Sequence, residues 1–135
     1  MIEYLLDTNI LSYFIRGRHA ELNSRVTEAI ERERACVSVI VRAEVRFGQS
    51  GMLANDKRRR AIDLLLDQLP ALPWTAAAAD AYGTLKAQLQ STGRPIGELD
   101  TQIAAHALAE GLVLVTHNTR HFDRIAGLKL EDWMH

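Results

Sequence analysis

The sequence predicts an α/β fold with a mainly parallel sheet of four to five strands between two layers of helices. Two observations carry this. Short apolar runs of strand length alternate with longer segments of helical periodicity throughout the chain. The runs, of which Leu112–Val115 is the clearest, are apolar on both faces, as strands covered on both sides are. Right-handed crossovers then bring the ends of several strands to one edge of the sheet.

The elements follow in order. Ile2, Tyr4, Leu5 and Leu6 form the first strand, which stops abruptly at Asp7. Ile10, Leu11, Phe14 and Ile15 give a short helix ended by Gly17, and Leu22, Val26, Ala29 and Ile30 a second helix paired with it. Cys36–Val41 is apolar and β-branched and reads as a strand running into a helix, which carries Ala43, Glu44 and Phe47 and ends near Gly48 or Gly51. Asn55-Asp56 opens a helix whose first turn is Lys57-Arg58-Arg59-Arg60 and whose core face is Ile62, Leu65, Leu66 and Leu69. The proline-bounded segment Pro70–Trp74 is a third, short strand. Ala78, Tyr82, Leu85 and Leu89 mark a long helix, 91–95 a loop, and Leu99, Ile103, Ala104 and Ala107 another helix stopped by Gly111. After the strand Leu112–Val115, residues 119–123 make at most one helical turn, and Leu128–Leu130 is a possible last strand.

At 135 residues the chain suits one domain, spanning 1–135, with a full core. It is 47% hydrophobic and 24% charged with a net charge of −1, so no global field drives it onto nucleic acid, and any such binding needs a local patch. A lone Cys36 excludes an internal disulfide and a Cys-rich zinc site, and fits a reducing compartment. No run reaches the length of a membrane span, and a cytoplasmic location is expected.

Acidic residues at element ends carry the functional argument. Asp7 lies past the carboxyl end of the first strand, where open α/β sheets bind ligands. It also suits a helix N-cap, although Thr8 or Asn9 could cap without a carboxylate. Glu44 falls on the stripe Ile40, Ala43, Phe47, read as the inward face of its helix. An inward carboxylate is costly unless ion-paired, for example with Arg42 or Arg46, or bound to metal. Both explanations stand. Asp100, with Glu98 two residues before it, opens the helix bearing Leu99 and Ile103, and one first-turn acid would satisfy the helix dipole. Thr116-His117-Asn118-Thr119 follows the strand Leu112–Val115 as Asp7 follows the first, with Thr119 a candidate cap.

Three carboxylates on one edge repel one another and stay ionised only around a cation. Oxygen-only ligands select Mg²⁺ or Mn²⁺ over zinc. Such an ion suits phosphodiester hydrolysis, which needs neither histidine nor a covalent intermediate. The five histidines show no metal-ligand pairing and read mostly as surface or cap residues. Cys36 reads as core.

Four motifs together resemble a PIN domain, and more narrowly the VapC toxins of bacterial VapBC toxin–antitoxin pairs. They are Tyr4-Leu-Leu-Asp7-Thr8-Asn9; Ser38-Val-Ile-Val-Arg-Ala-Glu44 with Phe47-Gly48; Ile96-Gly97 with Asp100-Thr-Gln-Ile103-Ala-Ala-His106-Ala-Leu108; and Leu114-Val-Thr116-His-Asn118 with Phe122. The resemblance spans the chain in order. It implies a three-layer α/β/α fold and a Mg²⁺- or Mn²⁺-dependent endoribonuclease with Asp7, Glu44 and Asp100 as metal-site acids. Thr8, Asn9, Glu98, Thr116 and Asn118 are then supporting residues. It further implies a homodimer and a cognate VapB-type antitoxin that occludes the site and alone carries the pair to operator DNA.

One departure stands out. PIN domains usually place a fourth acid after the penultimate strand, and relatives often carry one where His121 precedes Phe122. Here the candidates for that place are Asn118, His121 and Asp123. Asn118 is expected to point along the same edge as Asp7, with one cation held firmly and a second weakly. Lys57, Arg58, Arg59 and Arg60, with Arg16 and Arg18, could hold an RNA backbone, although solvated helix and loop charges are the simpler explanation. Two rival functions are a non-catalytic regulator that binds antitoxin and operator, and phosphoryl chemistry on a small molecule. The latter is disfavoured because Asp7-Thr8-Asn9 lacks a second Asp two residues on.

Overall fold

The computed structural model describes residues 1–134, and among them seven helices and five strands. The strands are β1 (Tyr4–Leu6), β2 (Ala35–Ser38), β3 (Ala71–Leu72), β4 (Val113–Val115) and β5 (Lys129–Glu131), in the order β3-β2-β1-β4-β5 with every pairing parallel. The expected α/β class is observed, at five strands. The helices are α1 (Thr8–Arg16), α2 (Ala20–Glu31), α3 (Val39–Ser50), α4 (Lys57–Gln68), α5 (Ala76–Ser91), α6 (Glu98–Glu110) and α7 (Thr119–Phe122).

The strand order explains the layers. The steps β1 to β2 to β3 run one way across the sheet. The chain then returns to β4, on the other side of β1, and continues to β5. Right-handed crossovers therefore put α1–α4 on one face and α5 and α6 on the other. Packing agrees: α1 touches α2, α3 and α4, while α5 lies along α6. The direction of winding reverses between β1 and β4, and the crevice beyond their carboxyl ends is the ligand-binding position of this architecture.

Core residues come from both layers and the strands between. Leu5, Leu6, Cys36, Val37, Leu114 and Val115 are fully buried. Leu11, Leu22 and Val26 cover one face, and Ile103, Ala104 and Ala107 the other. Helix α6 is buried nearly all round from Thr101 to Ala107, which requires its run of alanines. The core reading of Cys36 is correct, and burial pushes its thiol up to about 12.

Several boundaries and faces differ from expectation. The β-branched run 39–41 is helix, not strand. Ser38 ends β2 and caps α3 by accepting from the Ile40 N–H at 3.1 Å, so the cap overrides the β propensity of Val39, Ile40 and Val41. The stripe Ile40, Ala43, Phe47 is not the inward face of α3. Ala43 and Phe47 are exposed, Phe47 at 80%, and Val41, Val45 and Gln49 face the core instead. Leu99, expected on the core face of α6, is exposed because its turn borders an open cleft. The last strand lies one residue later than expected, and the long helix α5 runs through Ser91.

Candidate metal centre

Asp7, Thr8, Asn9, Glu44, Gly97, Glu98, Leu99, Asp100 and Ile103 line a cleft of about 460 Å³ at the carboxyl edge of the sheet. Each candidate acid arrives there by a local device. Asp7 follows β1 at the point of winding reversal, and its N–H donates to Val115 O at 3.2 Å, which ties it to β4. It is also the N-cap of α1, Oδ1 accepting from the Ile10 N–H at 2.8 Å. Glu44 is carried in by the second turn of α3. Asp100 sits in the first turn of α6, whose N-cap Gly97 has φ +97°, a conformation that glycine adopts without strain.

Each acid has a protein donor of its own. Asp7 receives the Thr116 hydroxyl in addition to its cap bond. Glu44 receives the Thr8 hydroxyl. Asp100 Oδ2 lies 2.9 Å from His121 Nε2. The ion pair of Glu44 with Arg42 or Arg46 is not formed: Arg42 donates to Leu66 O, and Arg46 to Asp63 and Gln49.

The electrostatics describe a site short of positive charge. Burial, set against the Thr116 and Ile10 hydrogen bonds and reinforced by the nearby Asp100 and Glu44 charges, pushes Asp7 up to about 6. Asp100 is raised as well, by burial first and by Glu44, with His121 opposing. The donors are carboxylates and hydroxyls, the set that suits Mg²⁺ or Mn²⁺. Among the described residues no group of three or more His, Cys, Asp or Glu side chains is close enough to hold a bare metal ion as placed. The acids line an open cleft, so the residues fit a hydrated divalent ion that keeps several waters.

Other expectations divide. Thr116, fully buried, accepts from the Asn118 N–H at 3.1 Å and bonds Asp7. Asn118 itself is exposed and is not among the residues lining the cleft, so its amide does not take the fourth place; its backbone is spent on α7 and Thr116. Asp123 is exposed beyond α7. His121, a candidate alongside them, is the one of the three that reaches the acids. Glu98 lines the cleft but pairs with Lys86 at 3.0 Å.

Of the basic residues, Arg16 and Arg58 line a neighbouring cleft that also includes Thr8 and Glu44. Arg18, Lys57 and Arg60 are exposed. Arg59 differs: it donates to Gln49 O and Met52 O, which makes it a clamp on the α3–α4 turn. Sequence reasoning missed His106 as a buried residue. Its Nδ1 lies 2.7 Å from the Ser38 hydroxyl, and the ring is fully buried against Trp74. Its place between Ala105 and Ala107 on an apolar helix was the available signal.

Comparison with known proteins settles the family. The model of the PIN domain matches residues 4–128. The chain belongs to the PIN-domain family. Among PIN-domain relatives, it is 38% identical over 134 residues to Ribonuclease VapC2 of Haemophilus influenzae, covering 99% of this chain and 100% of the relative. It is 34% identical to the tRNA(fMet)-specific endonuclease VapC of Shigella flexneri, covering 98% and 99%. The fold superposes at a TM-score of 0.90 on a chain of the DNA-bound VapBC complex of Salmonella typhimurium, at 33% identity with 98% and 99% covered.

Proposed function

We propose that this PIN domain, taken as one unit over residues 1–135, is the toxin of a type II toxin–antitoxin pair. It is an endoribonuclease, as its full-length VapC relatives are named. The observation that carries the chemistry is the gathering of Asp7, Glu44 and Asp100 around one cleft at the reversal between β1 and β4, with Asp7 pushed up to about 6.

Asp7, Glu44 and Asp100 would hold a divalent cation, Mg²⁺ or Mn²⁺. Bound there, such an ion supplies Lewis-acid polarisation of a phosphate oxygen and lowers the pKa of water. The chain's own residues do the rest. Thr8, Thr116 and His121 orient the three carboxylates. Asn9 and Glu98 line the same cleft, where their side chains meet the substrate or its water. Arg16, on the adjoining wall, is placed for RNA phosphates, with Arg18, Lys57 and Arg60 exposed beyond it, whereas Arg58 lines the same wall but is paired with Asp56 at 2.7 Å. Arg59 is engaged with backbone and is left out of that set.

A VapB-type antitoxin is the expected partner, since structures such as the Salmonella complex and the promoter-bound VapBC2 complex of Rickettsia felis hold VapC-like chains in this assembly. The cleft that joins Thr8 and Glu44 to Leu11, Ile15, Val45, Leu65 and Leu66 offers an apolar seat beside the acids. Operator DNA would be reached only through that partner, and the chain itself would be a homodimer. We place it in the cytoplasm. Among the described residues no helix is long and apolar enough to cross a membrane. No observation favours the non-catalytic regulator.

The test is cleavage of RNA by the purified chain with Mg²⁺, against Asp7→Asn and chelator controls. Wild-type protein that leaves RNA intact under conditions where it binds Mn²⁺ would overturn the enzyme assignment.

A further inference from the structure

We propose that His121 is the positioning residue of Asp100, and that it replaces a fourth metal-site acid with a hydrogen-bond donor. The inference rests on the assignment of Asp100 as a cation ligand.

The geometry is specific. His121 Nε2 lies 2.7 Å from Ile96 O and 2.9 Å from Asp100 Oδ2. Two acceptors facing one ring nitrogen require that nitrogen to carry a hydrogen, as it does in the Nε2–H tautomer and in the imidazolium alike. One imidazole thus joins three pieces of backbone: α7, the segment before α6, and the first turn of α6. Both ends are anchored. Phe122, next to His121, is 2% exposed, Ile96 is 4% exposed, and the His121 N–H donates to Asn118 O at 3.1 Å. With Oδ2 held by the ring, Oδ1 is the oxygen left to a cation.

The other two acids support the same conclusion. Thr8 orients Glu44, and Thr116 with the Ile10 N–H orients Asp7. Asp100 has only His121 in that role among the described residues. A carboxylate at 121 would face both Ile96 O and Asp100 with oxygens, and neither contact would survive without a second cation. Histidine at this position therefore makes a site of three carboxylates and one divalent ion.

Mn²⁺ titration by calorimetry and electron paramagnetic resonance tests this, with thermal melts in chelator to confirm folding. His121→Ala is expected to weaken Mn²⁺ binding by ~10-fold, the lower end of what a lost outer partner costs. His121→Gln is expected to retain affinity within ~3-fold, because its amide nitrogen offers two hydrogens near the Nε2 position. His121→Glu should melt lower in chelator and bind two Mn²⁺ instead of one. Wild-type affinity in His121→Ala, or equal loss in the Ala and Gln variants, would overturn the positioning role. Asp100→Asn separates the layers of the argument. If it binds Mn²⁺ as wild type does, the cation-site assignment fails; if it loses binding while His121→Ala does not, only the role of His121 fails.

Discussion

Helix α3 carries two acid environments within one turn of each other, and they behave in opposite ways. On one side, Arg46 and the buried Gln49 reach Asp63 of α4, both at hydrogen-bond distance, and hold its carboxyl below the usual range, Gln49 first. On the other side, Glu44 faces Asp7 and Asp100, and Asp7 is pushed up to about 6. The first acid is supplied with donors and a cation and locks two helices together. The second group is supplied with orienting donors, but His121 is the one titratable base among them. A protein that wanted only stability would treat Glu44 as it treats Asp63. On the function proposed above, that uncompensated charge is what a divalent cation would neutralise.

Substitutions on the two sides should therefore separate activity from stability. The largest expected effect is Asp7→Asn: RNA cleavage falls by on the order of 10³-fold, with several kcal/mol of charge stabilisation lost. Asparagine still caps α1, so the variant folds. In chelator it should also melt higher than wild type at neutral pH, because a carboxyl buried at a raised pKa costs on the order of 3 kcal/mol there. A variant that cuts RNA at the wild-type rate would reduce Asp7 to a cap.

That stability gain carries a pH signature. The folded pKa of Asp7 lies above its unfolded value of 3.8, so the folded state binds the extra proton between about 4 and 6. The cost is full above pH 6 and fades as pH falls toward 4. The melting advantage of Asp7→Asn in chelator should shrink from pH 7.5 to pH 5. A constant advantage across that range would show that Asp7 is not buried as a charge.

Glu44→Gln comes next. Mn²⁺ affinity should drop by ~10-fold in calorimetry, while the melting temperature in chelator rises through relief of like-charge repulsion. Asp63→Asn is the counter-test on the same helix: its melting temperature should fall modestly, with RNA cleavage and Mn²⁺ affinity unchanged. If Asp63→Asn impaired Mn²⁺ binding as much as Glu44→Gln does, the contrast between the two sides of α3 would collapse.

Asn118→Asp should have the smallest effect, within ~2-fold on Mn²⁺ affinity. Its side chain is exposed and outside the cleft lining, and solvent screens the added charge. A marked tightening would return Asn118 to the fourth place.

The chain itself determined the alternation of β1, β4 and the long helices, because burial on both faces demands continuous apolar runs. It also determined that a carboxylate follows the first strand and a polar Thr-His-Asn-Thr turn the fourth, since both interrupt their apolar runs abruptly. Tertiary structure decided the rest. The inward face of α3 belongs to Val41, Val45 and Gln49 because α1 and α4 pack there, and no periodicity within one helix reveals which side its neighbours will cover. The start of α3 depended on Ser38 finding both Ile40 and the distant His106. That His121, and not Asn118 or Asp123, reaches the acids depends on a contact across 21 residues, from His121 to Asp100, which local pattern cannot encode. The three carboxylates meet only because the end of β1, the second turn of α3 and the first turn of α6 converge on one edge, beside the reversal of winding between β1 and β4.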